Sequence, residues 1–162
     1  MKCLVIGSGG QLGRALQASA PAGADVIAPP EAECDLTNIA HLRHWIEEGR
    51  PDIIFNAAAY TNVDGAEQDA AAAELVNATS VGRVAEIAAR TGARLVHVST
   101  DFVFDGEASR PYAPDDPPNP LSVYGRTKLD GDGSLPGRRQ CWPLRTSGVR
   151  PLRCAWWRWC QS

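Results

Sequence analysis

The 162-residue sequence predicts an α/β fold in which a doubly wound parallel sheet is covered by helices. Short apolar runs alternate with longer stretches that carry apolar residues at helical spacing, which favours crossover connections between parallel strands. A glycine-rich segment follows the first apolar run, and small polar residues follow a later one. Such residues would meet at the carboxyl edge of the sheet. The length suits one domain with a full core.

The first element is a strand predicted over Lys2–Ile6, a short run rich in β-forming residues. Gly7-Ser-Gly-Gly-Gln-Leu-Gly13 follows it and precedes a helical pattern, an order typical of the dinucleotide-binding turn of Rossmann folds. Gly7 would permit the tight turn, Gly10 would let the backbone approach a pyrophosphate, and Gly13 would let the helix pack closely on the strand. A tight turn without a ligand is the alternative interpretation.

Residues 25–28 predict the second strand, which in an NAD-binding fold ends in an acidic residue that holds the adenosine ribose. Here the strand ends in Pro29 and Pro30, with Glu31 beyond and no arginine placed for a 2′-phosphate. The sequence therefore leaves NADH and NADPH open as cofactors. Asp35 is either a turn or cap residue or a contact to the adenine end of a cofactor.

The next helix is predicted to run to Glu48, with Thr37 or Asn38 as its N-cap. Residues 52–56 predict the third strand, and three alanines follow it. Small residues at the end of a strand would let a flat ring system lie against the backbone.

Residues 70–90 predict a long helix with an apolar stripe, ended by Gly92, and residues 94–99 predict the next strand. Thr100 and Asp101 stand at the carboxyl end of that strand. In open parallel sheets this edge faces the ligand crevice.

After a turn-rich loop over residues 104–120, a further helix is expected to carry Tyr124 and Lys128 on one face, four residues apart. The ammonium group would stabilise a phenolate, so Tyr124 would exchange its proton nearer neutral pH than a free tyrosine does. A Tyr-x-x-x-Lys pattern with Thr100 upstream resembles the catalytic set of the short-chain dehydrogenase/reductase superfamily.

The composition argues against several classes of partner. The net charge is −3 and no apolar run approaches the length of a membrane span, so neither a nucleic acid nor a membrane is expected. The five cysteines lack any C-x-x-C spacing, which argues against a disulfide framework or a zinc site, and no metal site is predicted. Met1 leads directly into the first strand without room for a signal peptide, and the expected location is cytoplasmic.

Four longer segments together resemble the dTDP-4-dehydrorhamnose reductase family of extended short-chain reductases, which makes dTDP-L-rhamnose with a nicotinamide cofactor. They read Asn56-Ala-Ala-Ala-Tyr-Thr-Asn-Val-Asp64, Leu75-Val-Asn-Ala-Thr-Ser80, Val96-His-Val-Ser-Thr-Asp-Phe-Val-Phe-Asp-Gly106 and Pro120-Leu-Ser-Val-Tyr-Gly-Arg-Thr-Lys128. The resemblance covers residues 1–129 nearly continuously.

The resemblance implies a role for each matching residue. Tyr124 would protonate the C4 oxygen of the sugar as hydride arrives, Lys128 would stabilise the phenolate and hold the nicotinamide ribose, and Thr100 would bond the reacting oxygen. The implied cofactor contacts are Gly7, Gly10, Gln11, Leu12, Gly13, Asp35, Leu36, Ala58, Ala59, Thr61, Tyr124 and Lys128. The implied substrate contacts are Val63, Thr100, Asp101, Phe102 and Val103, with plain core packing as the alternative for Val63, Phe102 and Val103.

The sequence departs from the family at some positions. Ala15 stands where some members have a glutamate used for magnesium at a dimer contact, so a metal-bridged dimer is not expected, although the full-length family suggests a homodimer. Leu129-Asp-Gly-Asp-Gly-Ser-Leu-Pro is not expected to continue the helix beyond Lys128. Leu144-Arg-Thr-Ser-Gly148 resembles a family strand, with Gly148 in place of a substrate-stacking tryptophan.

The chain changes character near residue 130. Residues 1–129 carry a net charge of −7 and residues 130–162 carry +4, with four of the five tryptophans. We therefore predict a dinucleotide-binding domain over residues 1–129 and an atypical tail over 130–162, with the sheet incomplete at its C-terminal side and the substrate domain absent. Out-of-frame translation after about codon 129 would explain the tail, and a genuine C-terminal extension is the alternative.

The function predicted by the resemblance is NAD(P)H-dependent reduction of dTDP-4-dehydro-6-deoxy-L-mannose to dTDP-L-rhamnose, with this chain an impaired fragment. One alternative is a nicotinamide-dinucleotide-binding module without turnover. Another is an epimerase or dehydratase of the same superfamily that acts on a nucleotide-sugar.

Overall fold

The computed structural model describes residues 1–113, 115–135 and 141–146, the last of these by backbone alone. Its strands are β1 (Lys2–Ile6), β2 (Asp25–Ile27), β3 (Ile53–Asn56), β4 (Arg94–Thr100) and β5 (Cys141–Thr146). They form one parallel sheet in the order β2-β1-β3-β4-β5. The chain moves outward from β1 to β2 and then crosses back to β3, so the direction of winding reverses between β1 and β3. The predicted doubly wound parallel sheet is confirmed, and the four strands predicted up to residue 100 lie within one residue of their expected bounds.

Helices connect the strands and cover both faces of the sheet. They are α1 (Gln11–Ala18), α2 (Ile39–Arg43) with a π-helical turn (His44–Glu48), α3 (Val63–Gln68), α4 (Ala70–Glu74), a π-helical turn (Leu75–Thr79), α5 (Ser80–Thr91), a 3₁₀ turn (Asp101–Val103) and α6 (Val123–Gly133). In the described part of the chain, none of them has the length and apolar character that a membrane span requires.

The sheet is buried on both faces, which explains why β1 and β3 are continuous apolar runs. Alternate residues point to opposite faces. Leu4, Ile6 and Ile54 belong to one core cluster, which the helices after β2 and β3 complete. Val5 and Phe55 belong to the other, which is closed by Leu16 and other residues near α1.

The helix boundaries follow from local capping. Of the two candidate caps for α2, Asn38 is the one that bonds, because its side chain accepts from the backbone N–H of Ala40 at 3.0 Å. The helix predicted over residues 70–90 is present but contains a π-helical turn, and α3 precedes it without having been predicted. Asp69 separates α3 from α4 because its side chain caps the N–H of Ala72 at 3.0 Å.

The expectation that the last helix ends at Lys128 is wrong, because α6 continues to Gly133. Tertiary packing overrides the poor propensity of this segment. Gly131 lies so close to the backbone carbonyl of Asn77 that a Cβ atom would collide with it. One turn from Lys128, the Asp132 carboxylate accepts a 2.8 Å hydrogen bond from Ser99 Oγ of β4.

The backbone of β5 pairs in parallel with β4, with Leu144 opposite Val98 and Thr146 opposite Thr100. The segment from Leu144 to Gly148 resembles a family strand, and its described part, up to Thr146, belongs to β5. Residues 136–140 and 147–162, which include Gly148, lie outside the described residues. The domain boundary after residue 129 stays a prediction.

Candidate active site

A cleft of about 770 Å³ opens at the carboxyl edge of the sheet, beyond the ends of β1 and β3. Of the residues singled out in the sequence, those lining it are Gly7, Gly10, Gln11, Leu12, Asp35, Leu36, Ala58, Ala59, Thr61, Val63, Thr100, Asp101, Phe102, Tyr124 and Lys128. Gly13 and Val103 do not line it. The fold thus gathers residues from five separate segments into one elongated site.

The glycine turn forms one end of the cleft. Gly7 has a φ of +79°, and a Cβ atom there would lie 2.6 Å from the backbone nitrogen of Ala58. Only glycine fits this conformation and this approach. The N–H of Gly10 closes the turn on the Gly7 carbonyl at 3.2 Å, and α1 begins at the next residue. Gly13 packs against the turn itself, since a Cβ atom there would collide with the Gly7 carbonyl.

The segment after β2 lines the cleft beside this turn. Asp35 Oδ1 accepts hydrogen bonds from the backbone N–H of Thr37 at 2.8 Å and from its hydroxyl at 2.9 Å, so Asp35 forms a turn and also faces the cleft. Glu31 and Cys34 line the cleft too. Burial and then Asp35 raise the pKa of the Cys34 thiol to about 11, which keeps it protonated and a poor nucleophile.

Helix α6 carries Tyr124 at the other end of the cleft. The Ser122 side chain caps this helix by accepting from the N–H of Gly125 at 3.0 Å. Gly125 allows the first turn to approach the carbonyl of Phe102, with which a Cβ atom would collide. The Phe102 ring meets the Tyr124 ring edge-on, with centroids 5.6 Å apart.

The three apolar residues for which core packing was the alternative differ from one another. Phe102 is 47% exposed, so its ring stands at the rim of the cleft and is not a core residue. Val63 also lines the cleft and is half-buried. Val103 is fully buried beneath the surface, which supports core packing for this residue.

The Tyr/Lys spacing predicts that Tyr124 ionises nearer neutral pH than a free tyrosine, but its pKa is shifted in the other direction. Burial raises the pKa of the Tyr124 phenol, a hydrogen bond with Thr100 partly counteracts it, and the Asp101 carboxylate raises it further. Tyr124 therefore remains protonated at neutral pH.

Lys128 is 1% exposed and is directed into the protein beside β4. Its Nζ donates to the Val98 carbonyl at 2.6 Å and lies 3.2 Å from His97 Nε2. Burial lowers the pKa of the Lys128 amine to about 8, while the Asp132 carboxylate acts in the opposite direction. The pKa of His97 is well below its ordinary value because of burial and then because of Lys128.

Two further polar residues were missed in the sequence. Asn77, on the π-helical turn, bonds both backbone groups of Tyr60, at 2.9 and 3.1 Å, and donates to the Thr127 hydroxyl at 3.1 Å. Asn56, at the end of β3, contacts His97 at 3.1 Å. The signal that could have identified them is a polar residue within an apolar strand or helix stripe, since such a group needs a partner when it is buried.

Over the described ranges, no three His, Cys, Asp or Glu side chains stand close enough together to hold a metal ion.

The doubly wound sheet, the glycine turn and the cleft at the carboxyl edge define a Rossmann-type α/β protein. The chain belongs to the family described as the RmlD substrate binding domain, whose family model matches residues 1–150. The resemblance noted in the sequence is thereby confirmed.

The chain is similar to curated dTDP-4-dehydrorhamnose reductases. That of Burkholderia thailandensis is 45% identical over 132 residues, which are 82% of this chain and 44% of the relative. That of Salmonella typhimurium is 43% identical over 139 residues, which are 83% of this chain and 46% of the relative. The chain thus spans about half the length of the curated relatives it matches.

The crystal structure of dTDP-4-dehydrorhamnose reductase from Bacillus anthracis in complex with NADP superimposes with a TM-score of 0.85. The two chains are 35% identical, and the match covers 90% of this chain and 53% of that one.

Proposed function

We propose that this chain is the cofactor-binding and proton-donating part of a reductase that converts dTDP-4-dehydro-6-deoxy-L-mannose to dTDP-L-rhamnose with NADPH or NADH. The observation that carries the proposal is the single cleft that runs from the glycine turn to Tyr124 and Lys128. The names of the curated relatives and the NADP of the Bacillus anthracis structure support the same assignment.

The residues present fit a dinucleotide. Gly7 and Gly10 line the cleft without a side chain, and a Cβ atom at Gly7 would collide with the backbone of Ala58. The pyrophosphate would lie against Gly10 and the first turn of α1, whose N–H groups favour an anion. Asp35 would meet the adenine end, and Ala58, Ala59 and Thr61 would form the wall for the ribose and the nicotinamide.

When bound, the cofactor supplies a hydride to the carbonyl carbon of the sugar. Tyr124 would donate a proton to the carbonyl oxygen, and its raised pKa keeps that proton in place until the oxygen gains charge. Thr100 would hold the same oxygen, and Lys128 would hold the nicotinamide ribose. Phe102 and Asp101 at the rim would contact the sugar.

Cofactor binding is the first test. Calorimetric titration of the protein with NADPH, and separately with NADH, should show saturable binding. Gly10→Ala should weaken it, because a methyl group would intrude where the backbone meets the pyrophosphate. Gly9→Ala is the matched control, since a Cβ atom there meets nothing within 4 Å. Equal losses in both variants, or no binding by the parent chain, would contradict the proposal.

Turnover is a separate test, because the relatives are about twice as long. This chain is expected to be an impaired fragment, so oxidation of NADPH with dTDP-4-dehydro-6-deoxy-L-mannose should be weak, and Tyr124→Phe should abolish it while cofactor binding is kept. Loss of cofactor binding together with turnover in Tyr124→Phe would contradict a role of Tyr124 in the chemical step. Conversion of a nucleotide-sugar without net oxidation of the cofactor would favour an epimerase or dehydratase.

The proposal also includes a dTDP-sugar as the small-molecule partner and a homodimer as the assembly of the full-length protein. It further includes a cytoplasmic location and no nucleic-acid partner. The net charge of −3 supports the exclusion of nucleic acid.

A further inference from the structure

A buried chain of polar groups runs beneath the floor of the cleft. It begins at the backbone N–H of Ala58, which donates to Asn56 Oδ1 at 3.2 Å. Asn56 Nδ2 lies 3.1 Å from His97 Nδ1, and His97 Nε2 lies 3.2 Å from Lys128 Nζ. Asn56 and His97 are both fully buried, and the chain thus joins the end of β3 to α6 through the middle of β4.

The donors and acceptors along this chain determine the His97 tautomer. The amide of Asn56 is oriented by Ala58, so the group it presents to His97 is the Nδ2–H donor. His97 Nδ1 must then be an acceptor, because a proton on it would place donor against donor. A neutral imidazole carries one N–H, so the proton lies on Nε2, opposite Lys128.

The two protonation states of Lys128 differ in how they can pair with this Nε2–H group. An uncharged amine has a lone pair that can accept from His97 Nε2–H while the amine donates to Val98. An ammonium has no lone pair, so two donors would face each other across 3.2 Å. Unpaired donors at a buried site are costly, and this cost falls on the ammonium alone.

We propose that His97, oriented by Asn56, is a positioning residue that presents an Nε2–H donor to Lys128 and thereby stabilises the uncharged amine relative to the ammonium. Among the described residues, the Val98 carbonyl of β4 accepts from Lys128, and two titratable groups of its own helix stand near it. Asp132 favours the ammonium, and Tyr124 lies one turn before it. Burial acts in the same direction as His97 and lowers the pKa of Lys128 to about 8.

The consequence concerns the proton that Tyr124 gives away. A lysine whose two protonation states are close in free energy near neutral pH can release a proton to the tyrosinate that this donation leaves and regain one from solvent within a turnover, whereas an ordinary lysine would keep its proton. This consequence rests on the proposed function. The tautomer of His97 and the titration of Lys128 are read on the protein without cofactor, so the inference and the proposed function can fail separately.

The first measurement is the His97 tautomer in the parent 162-residue chain, from long-range proton–nitrogen NMR correlations of ¹⁵N-histidine. The chain has three histidines, and the signals that disappear in His97→Gln assign the residue. We expect the Nε2–H tautomer at and above neutral pH. An Nδ1–H tautomer, or a protonated ring at neutral pH, overturns the proposal.

The second measurement is the titration of Lys128 by NMR of ¹³Cε-lysine. The chain has only two lysines, Lys2 and Lys128, and Lys2→Arg leaves one signal. In the Lys2→Arg background we expect a midpoint no higher than about pH 8.

The variant His97→Gln should raise this midpoint by about one pH unit, because a glutamine can turn its amide oxygen towards an ammonium. The matched control is His44→Gln, in which an exposed histidine of the π-helical turn after α2 is changed in the same way. A midpoint that is the same in His97→Gln and in the control overturns the proposal. If His97→Gln does not fold, the tautomer of the parent chain still decides it.

Discussion

Burying the Lys128 amine makes the stability of the protein depend on pH in a defined window. In the folded state its pKa is about 8, against 10.5 for an ordinary lysine. Below pH 8 the amine is protonated in both states, and the folded state bears the whole cost of the buried charge. Between the two values the folded protein loses the proton while the unfolded chain keeps it, so stability rises with pH. Above 10.5 both states are neutral and the gain is complete.

The magnitude follows from the width of the window. A difference of about 2.5 pH units, at about 1.4 kcal/mol per unit, gives about 3 kcal/mol between its two ends. The perturbation is Lys128→Met, which keeps the length of the side chain and removes the titrating group. Loss of the bond to the Val98 carbonyl shifts the stability of this variant by an amount that does not vary with pH.

The assay is urea denaturation of both proteins across the window, with the free energy of unfolding compared at each pH. We expect the parent chain to gain about 3 kcal/mol relative to Lys128→Met as pH rises from about 8 to 10.5. Tyr124, whose pKa is raised, acts in the opposite sense at the alkaline end but is present in both proteins. Parallel curves would refute the reasoning, because they would mean that Lys128 titrates alike in the folded and unfolded chains.

Three further predictions concern residues that surround Lys128. Gly131→Ala should lower the free energy of unfolding by about 1–3 kcal/mol, because the methyl group collides with the Asn77 carbonyl. Gly133→Ala, which has open space around it, should be neutral or slightly stabilising, and equal effects of the two variants in urea denaturation would contradict the contact. Asn77→Ala should lower the free energy of unfolding by about 2–4 kcal/mol in the same assay, because it leaves both backbone groups of Tyr60 without their partner. A loss below about 0.5 kcal/mol would show that these hydrogen bonds are not formed. His97 should make the free energy of unfolding fall as pH drops below 6.5, the ordinary pKa of histidine, because the unfolded chain binds a proton that the buried ring does not. Urea denaturation of the parent chain and of His97→Gln across that range tests this, and an identical pH dependence of the two proteins would contradict it.

The sequence allowed the prediction of those parts of the site that depend on local pattern. The spacing of Gly7, Gly10 and Gly13 specifies a turn between a strand and a helix, and Tyr124 and Lys128 share a face because a helix repeats at that interval. The parallel, doubly wound arrangement of the sheet followed from the alternation of apolar runs with helical patterns.

The remainder depended on contacts between distant segments. Asn56 and His97 are 41 residues apart, and they meet only because β3 and β4 are neighbours in a particular register. Propensity at Gly131 argues against a helix, yet the fit of this glycine against Asn77 sustains one. The direction of the Tyr124 pKa shift also reversed, since desolvation and Asp101 could not be weighed before the fold was known.

The contact between Gly125 and the Phe102 carbonyl has a consequence for how this site can diverge. It holds the start of α6 against the 3₁₀ turn that follows β4, and this contact positions Tyr124 without the long loop that links the two elements along the chain. We therefore expect that this loop can be lengthened or exchanged while Tyr124 keeps its position beside Thr100 and Phe102.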